Sequence, residues 1–231
     1  MDLSSFLQAA KNGNLEKIKQ LHRQGADLDE TAKNGSSALI LAAQENHLKM
    51  VEYLVEHDAD PNKSTSMGGT ALNRAAENGN IEMARLLLEK GAEIGDLALI
   101  VAAREGHLKV VKLLVEHGAD VNAQQRWGQT ALMQAAKEGH SLVVKYLLEH
   151  GAGVQLRDKN GDTALSIALD NDQLDIAGQL RRAGAKVGSR KTSSVADDSD
   201  DEESGEEGSD DFEGFMDNEE MPEDIDLDEE D

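Results

Sequence analysis

The chain of 231 residues has no Cys, 3% aromatic residues and a formal charge of −23. Lack of Cys excludes a disulfide framework, a thiolate metal site and a Cys nucleophile, and it fits a reducing compartment. The charge is segregated: residues 193–231 hold 21 of the 46 acidic residues and no Lys or Arg, which leaves 25 acidic against 23 basic side chains in residues 1–192.

The N-terminus, Met1-Asp2-Leu3-Ser4-Ser5, has no basic stretch leading into an apolar run, and no segment has the apolar length of a bilayer span. A soluble intracellular protein, cytoplasmic or nuclear, is expected. Two markers then recur. Gly25-Ala26-Asp27 returns as Asp58-Ala59-Asp60, Gly91-Ala92-Glu93, Gly118-Ala119-Asp120, Gly151-Ala152-Gly153 and Gly184-Ala185-Lys186, at steps of 33, 33, 27, 33 and 33 residues. The Ala pair repeats the same steps from Ala9 through Ala42, Ala75, Ala102, Ala135 and Ala168.

Each unit predicts two short helices. The first carries the small residues, as in Ala131-Leu132-Met133-Gln134-Ala135-Ala136, and these allow close approach of neighbouring helices. A break such as Gly139-His140 follows. The second helix has a dense apolar stripe, in the fourth unit Leu108, Val110, Val111, Leu113, Leu114 and Val115, which implies burial against the units before and after. Gly118 then ends that helix. In the first unit Lys17, Gln20 and His22 replace stripe positions, and in the sixth Gln179 and Arg181 do so. A terminal unit presents one face to water, so these substitutions predict a cap at each end.

Gly106-His107-Leu108-Lys109-Val110-Val111-Lys112-Leu113-Leu114 and Gly118-Ala119-Asp120-Val121-Asn122-Ala123 carry a resemblance to the ankyrin repeat, which extends over roughly residues 4–188. A tetratricopeptide array lacks these Gly-Ala-Asp turns. The resemblance implies an all-α solenoid of six helix-turn-helix units with projecting hairpin loops, over residues 1–188, and it implies a non-enzymatic protein-binding scaffold. Residues 189–231 form a separate acidic tail.

The family tetrapeptide Thr-Pro-Leu-His is never intact. Ala replaces Pro in all five places, among them Thr70-Ala71-Leu72-Asn73 and Thr130-Ala131-Leu132-Met133. Thr70, Thr130 and Thr163 retain the ability to cap a helix. The 27-residue step removes six residues between Gly91 and Ala102, in a projecting loop, and predicts a notch in the binding surface. Its flanking tips, residues 64–69 and 124–129, hold Met67 and Trp127. In ankyrin proteins the loop tips and the exposed side of the first helices contact partners. The resemblance therefore points to Lys33, Asn34, Ser66, Met67, Arg104, Arg126, Trp127, Lys137 and Lys159 as partner-binding residues, with Glu105 and Glu138 diluting the charge of their basic neighbours. The short step also lacks a Thr cap, so the array is expected to open first between the third and fourth units.

No chemistry beyond binding is indicated. His47, His107 and His140 occupy the structural Gly-His place, and His57, His117 and His150 sit where a cation complements a helix C-terminus. Asp224-Ile225-Asp226-Leu227-Asp228 begins like a calcium loop, but Glu229 stands where that loop needs Gly, and the chain stops at Asp231. Neither a phosphate-binding Gly loop nor a nucleophile elbow is present, so no metal, cofactor or catalytic residue is assigned. The body has no basic stripe for nucleic acid.

From about Ser189 the periodicity ends, and the Ser, Gly, Asp and Glu that follow predict disorder. Ser194, Ser199 and Ser204 have an acidic residue three places on, as acidophilic kinase sites do. Phe212, Phe215 and Met216 lie among acids, a composition suited to a segment that folds on a partner. The expected function is a monomeric adaptor whose partner is a basic protein such as a ribosomal protein or histone. The alternatives are a transcriptional or signalling co-regulator and a bacterial effector acting on host proteins. Amide hydrogen exchange checks the division: residues 4–188 should contain the protected amides, and residues 193–231 should exchange at the rates of an open chain when no partner is bound.

Overall fold

A computed structural model describes residues 4–186. These form twelve helices: α1 (Ser5–Lys11), α2 (Leu15–Arg23), α3 (Ala38–Gln44), α4 (Leu48–Glu56), α5 (Ala71–Glu77), α6 (Ile81–Glu89), α7 (Asp96–Arg104), α8 (Leu108–Glu116), α9 (Ala131–Lys137), α10 (Ser141–Glu149), α11 (Ala164–Asp170) and α12 (Leu174–Arg182). Successive pairs make six units. The odd-numbered helices pack on one another in one layer, and the even-numbered helices from α4 onward pack in the second. Acidic-tail expectations, including Phe212, Phe215 and Met216, lie outside the described residues.

The layers differ in their side chains because their spacing differs. In the first layer Ala10, Ala42, Ala43, Ala75, Ala76, Ala102 and Ala103 are fully buried, and the small side chains let adjacent first helices approach. The second layer is filled by branched residues, with Leu54, Leu87, Leu114, Leu147 and Leu180 at one register, all fully buried. Each contributes about 2–3 kcal/mol of burial. Ser4, Ser37, Thr70, Thr130 and Thr163 cap the N-termini of α1, α3, α5, α9 and α11, and Thr163 completes a capping box with Ser166. Loss of the family Pro thus leaves the caps in place.

The units are also joined edge to edge. The Nε2–H of His47 donates to the carbonyl of Lys11 at 3.0 Å, that of His107 to Glu77 at 3.0 Å, and that of His140 to Arg104 at 2.8 Å. Each ring covers a Gly of the preceding unit. Gly106 has φ +75°, and a Cβ there would stand 2.6 Å from the His140 ring. The second and third units break this pattern in a matched way. Asn46, not Gly, adopts φ 60°, and Asn80 replaces the His and bonds Asn46 Oδ1 at 2.7 Å. Three further histidines cap helix ends: Nδ1–H of His57, His117 and His150 donates to the carbonyl four residues earlier at 2.8 Å.

Four hairpin loops, residues 24–37, 57–70, 117–130 and 150–163, project from the stack. A fifth loop, residues 90–95 between α6 and α7, has no projection. Six residues are absent, and α7 starts early enough to have nine residues where the other first helices have seven. Loop bases are stitched together by one side chain per loop. Asp29 accepts from the Asp60 amide, Asn62 bonds Gly91 and Glu93, Asn122 bonds Gly151 and Gly153, and Gln155 donates to Gly184. Gly95 occupies this register in the short loop and has no side chain to offer, so no hydrogen bond joins residues 90–97 to residues 117–130. The loop-side discontinuity therefore falls between the fourth and fifth units, one interface beyond the expected position. The interface between the third and fourth units keeps the Asn62 stitch and the His107 bond.

Two residues assigned to water-facing caps face inward instead. Half-buried His22 meets Tyr53 of the second unit, and Gln179 donates to Ser141 of the fifth. Capping polarity alone does not account for them.

Two predictions follow from these joints. Gly118→Ala strains a positive-φ position in open space, whereas Gly106→Ala adds a clash with His140 to the same strain. Gly118→Ala should cost about 1 kcal/mol in denaturant unfolding, and Gly106→Ala about 2 kcal/mol or more. Gly95 is the N-cap of α7 at φ −84°, with nothing near its missing Cβ. Gly95→Asn should stabilise by about 0.5–1 kcal/mol and delay limited proteolysis, which should first nick wild-type protein at residues 94–97.

Candidate functional site

The missing projection leaves a cleft of about 410 Å³ on the loop side of the first helices. Its floor is α7, where Leu97 stands in the register held by Ser or Thr caps elsewhere, and Val101 follows one turn later. With no hairpin over them, both side chains remain half-exposed. One wall is the second projecting loop, with Thr65, Ser66 and Met67, and Gln125 lines the opposite side. Met67 is 89% exposed, so the tip offers a thioether to anything entering the cleft.

An ionic chain crosses the floor. Arg74 Nη1 meets Glu77 Oε2 at 2.7 Å, Arg104 Nη2 meets Glu77 Oε1 at 3.1 Å, and Arg104 Nε meets Glu105 Oε1 at 2.8 Å. The hydrogen bond to Glu105, opposed by partial burial and helped by the charges of Glu105 and Glu77, holds Arg104 above its usual pKa. Arg104 is therefore a fixed, paired guanidinium and not a free cation. Arg74 Nε is buried without a hydrogen-bond partner. Lys137 lies outside the cleft lining, 3.6 Å from Glu138.

The tips on either side are coupled in pairs. The Ser66 amide donates to the Asn34 carbonyl at 2.9 Å, joining the first two projections, and the Lys159 amide donates to the Trp127 carbonyl at 3.0 Å, joining the last two. Trp127 is 63% exposed, and Lys159 Nζ stands 5.7 Å from its ring centroid. The indole thus keeps an open face with a cation beside it. Lys33, Arg126 and Lys159 are exposed at the tips.

Of the residues expected from sequence, Asn34, Ser66, Met67 and Arg104 converge on the cleft. Arg126, Trp127 and Lys159 form the neighbouring pair of tips, and Lys33 and Lys137 lie apart from the lining. Sequence reasoning missed Arg74, Leu97 and Val101. The signal for Leu97 was present as an apolar residue at a capping register. For Arg74 and Val101 it was absent, because that register also holds Leu41, Gln134 and Ile167.

A family model described as ankyrin repeats (3 copies) matches residues 6–98 and again residues 99–191. No curated protein matches the chain in sequence. Among solved structures, the human ASB11 ankyrin repeat domain is 27% identical, with 81% of this chain and 87% of that chain covered at a TM-score of 0.72. A chain from the complex of the predatory endopeptidase Bd0816 of Bdellovibrio bacteriovorus with immunity protein Bd3460 is also 27% identical. That match covers 79% of this chain and 99% of the other at a TM-score of 0.69.

Proposed function

Because the chain belongs to the ankyrin-repeat family, we propose that it is a non-enzymatic adaptor that docks a protein partner in the cleft above α7. The observation that carries this reading is the coincidence of two exposed apolar tips, Met67 and Trp127, with an apolar floor laid open by a missing loop. A partner side chain entering the cleft covers Leu97 and Val101. The solved complex of an endopeptidase with an immunity protein, which supplies a 27% identical chain, supports a protein ligand. Among the described residues no helix is long and apolar enough to cross a membrane.

The acidic segment supplies the second half of the proposal. With 21 acidic residues and no Lys or Arg, residues 193–231 suit a basic surface on the partner, such as that of a ribosomal protein or histone. The tips bring Lys33, Arg126 and Lys159, so the apolar groups there, and not the tip charges, hold such a partner. Escort is the natural use of this arrangement, since a polyanion masks a basic surface until handover.

Association and dissociation rates of wild type, Trp127→Ala and a chain lacking residues 193–231, each at two salt concentrations, test the proposal with partners captured by the full chain. Trp127→Ala should weaken binding by about 2 kcal/mol or more, mostly through faster dissociation and with little salt dependence. Deletion should mainly slow association, an effect that shrinks as the screening length falls from about 10 Å at 0.1 M salt to about 3 Å at 1 M. Wild-type affinity in Trp127→Ala removes the cleft edge from the interface. A deletion effect equal at both salts removes steering.

A further inference from the structure

The even-numbered helices meet in a groove at the first and at the fifth interface, and the shared register of the units makes each position comparable along the array. At the first interface the groove is lined by Lys19, His22 and Arg23 of α2, by Tyr53 of α4 and by His57, which caps the end of α4, around about 390 Å³. The residues at the register of His22 in the next four units are Val55, Leu88, Val115 and Leu148, and those at the register of Arg23 are Glu56, Glu89, Glu116 and Glu149. The first groove alone replaces an aliphatic residue with His and a carboxylate with Arg. At the fifth interface the corresponding groove contains Leu148 and Glu149. At the fourth, burial and, after it, the charge of Glu116 push the Tyr146 phenol above its usual pKa, so the charge in the Arg23 register is felt at the phenol opposite.

The donors are arranged around open space. His22 Nδ1 lies 2.9 Å from Tyr53 Oη, and His57 Nδ1–H donates to the Tyr53 carbonyl at 2.8 Å. The His22 and His57 rings stand edge to face with centroids 5.2 Å apart, and Lys19 Nζ is 5.9 Å from the Tyr53 centroid. No carboxylate lines the groove. Lys19 meets Glu16 at 3.3 Å, but that carboxylate is 84% exposed and the pair is weak. The carbonyls at the end of α2 are taken by the amides of Gln24, Gly25 and Ala26, so they do not compete for the same donors. Among the second-helix pairs, α2 and α4 pack less closely than the rest, which leaves the groove open.

We propose that this groove binds a phosphate monoester carried on a protein segment. Lys19 and Arg23 supply charge, and His22 supplies a ring N–H donor, a set suited to a compact dianion, while the His57 ring, its Nδ1–H committed to the Tyr53 carbonyl, forms part of the wall. With Tyr53 O–H donating to His22 Nδ1, the Nε2–H of His22 donates even from a neutral ring. An extended polyanion is disfavoured, because Glu52 and Glu56 follow on α4 and the cationic surface does not continue along the array.

Phenyl phosphate titrated into the full chain, followed by the histidine ring resonances, tests the proposal. His22 and His57 should shift saturably while His47, His107 and His140 do not. The double variant His22→Val, Arg23→Glu installs the Val55-Glu56 pair of the next unit, residues this stack already accommodates, and should weaken binding at least about ten-fold. A phosphoserine tripeptide should reproduce the shifts, and its unphosphorylated form should not. Undiminished binding by the variant, or equal shifts with benzoate, overturns the site. Tighter binding of an oligothymidylate than of the phosphopeptide overturns the ligand class.

Discussion

Everything in this molecule depends on the inability of one helix pair to bury its own apolar surface. A single unit has a core face on each side and becomes stable only when a neighbour covers both. The Ala-rich first helices and the Leu-centred second helices meet that constraint at different spacings, and the stack follows from it. Once the helices hold the stack, the loop tips are free to vary, and only the loop bases remain stitched to one another. A loop can therefore lose its projection while the stack continues, as residues 90–95 do, with α7 starting early beside them.

The candidate cleft is therefore made by subtraction. The floor needs little beyond that loss: Leu97 stands where the other first helices carry a capping Ser or Thr, Val101 follows one turn on, and both meet solvent where no hairpin projects over them. The charged groups there are arranged to neutralise one another, Glu77 between Arg74 and Arg104. Such a surface discriminates through shape and through the geometry of fixed donors more than through net charge. The long-range electrostatics of the chain reside elsewhere, in the acidic segment.

The period, the six units and the two helix types were legible because they depend on spacing, and spacing is written directly in residues such as Ala42, Ala75 and Ala102. The exposed tips Met67 and Trp127 were legible for the same reason, through their register beside the 27-residue step. What could not be read was pairing between units. His22 and Gln179 looked like cap residues because polarity in a terminal unit has a simple explanation, yet both reach across an interface to named partners. The stitching role of Asn62 and Asn122, and its loss at Gly95, was equally hidden, since a side chain that bonds a backbone some thirty residues away leaves no local pattern.

The contacts between ring and glycine mean that these units are not interchangeable bricks. A unit ending its first helix in Gly79, Gly106 or Gly139 accepts a successor that opens its second helix with His107, His140 or Gln173. The second unit, ending in Asn46, accepts Asn80. Duplicating or transposing a unit would set an imidazole against a Cβ at some junctions and leave an unfilled hollow at others. The order of the repeats is thus enforced from within by neighbouring pairs of side chains. An array of this kind changes length most readily at its ends, and Asp172, at φ 57° in this register, meets no further unit among the described residues.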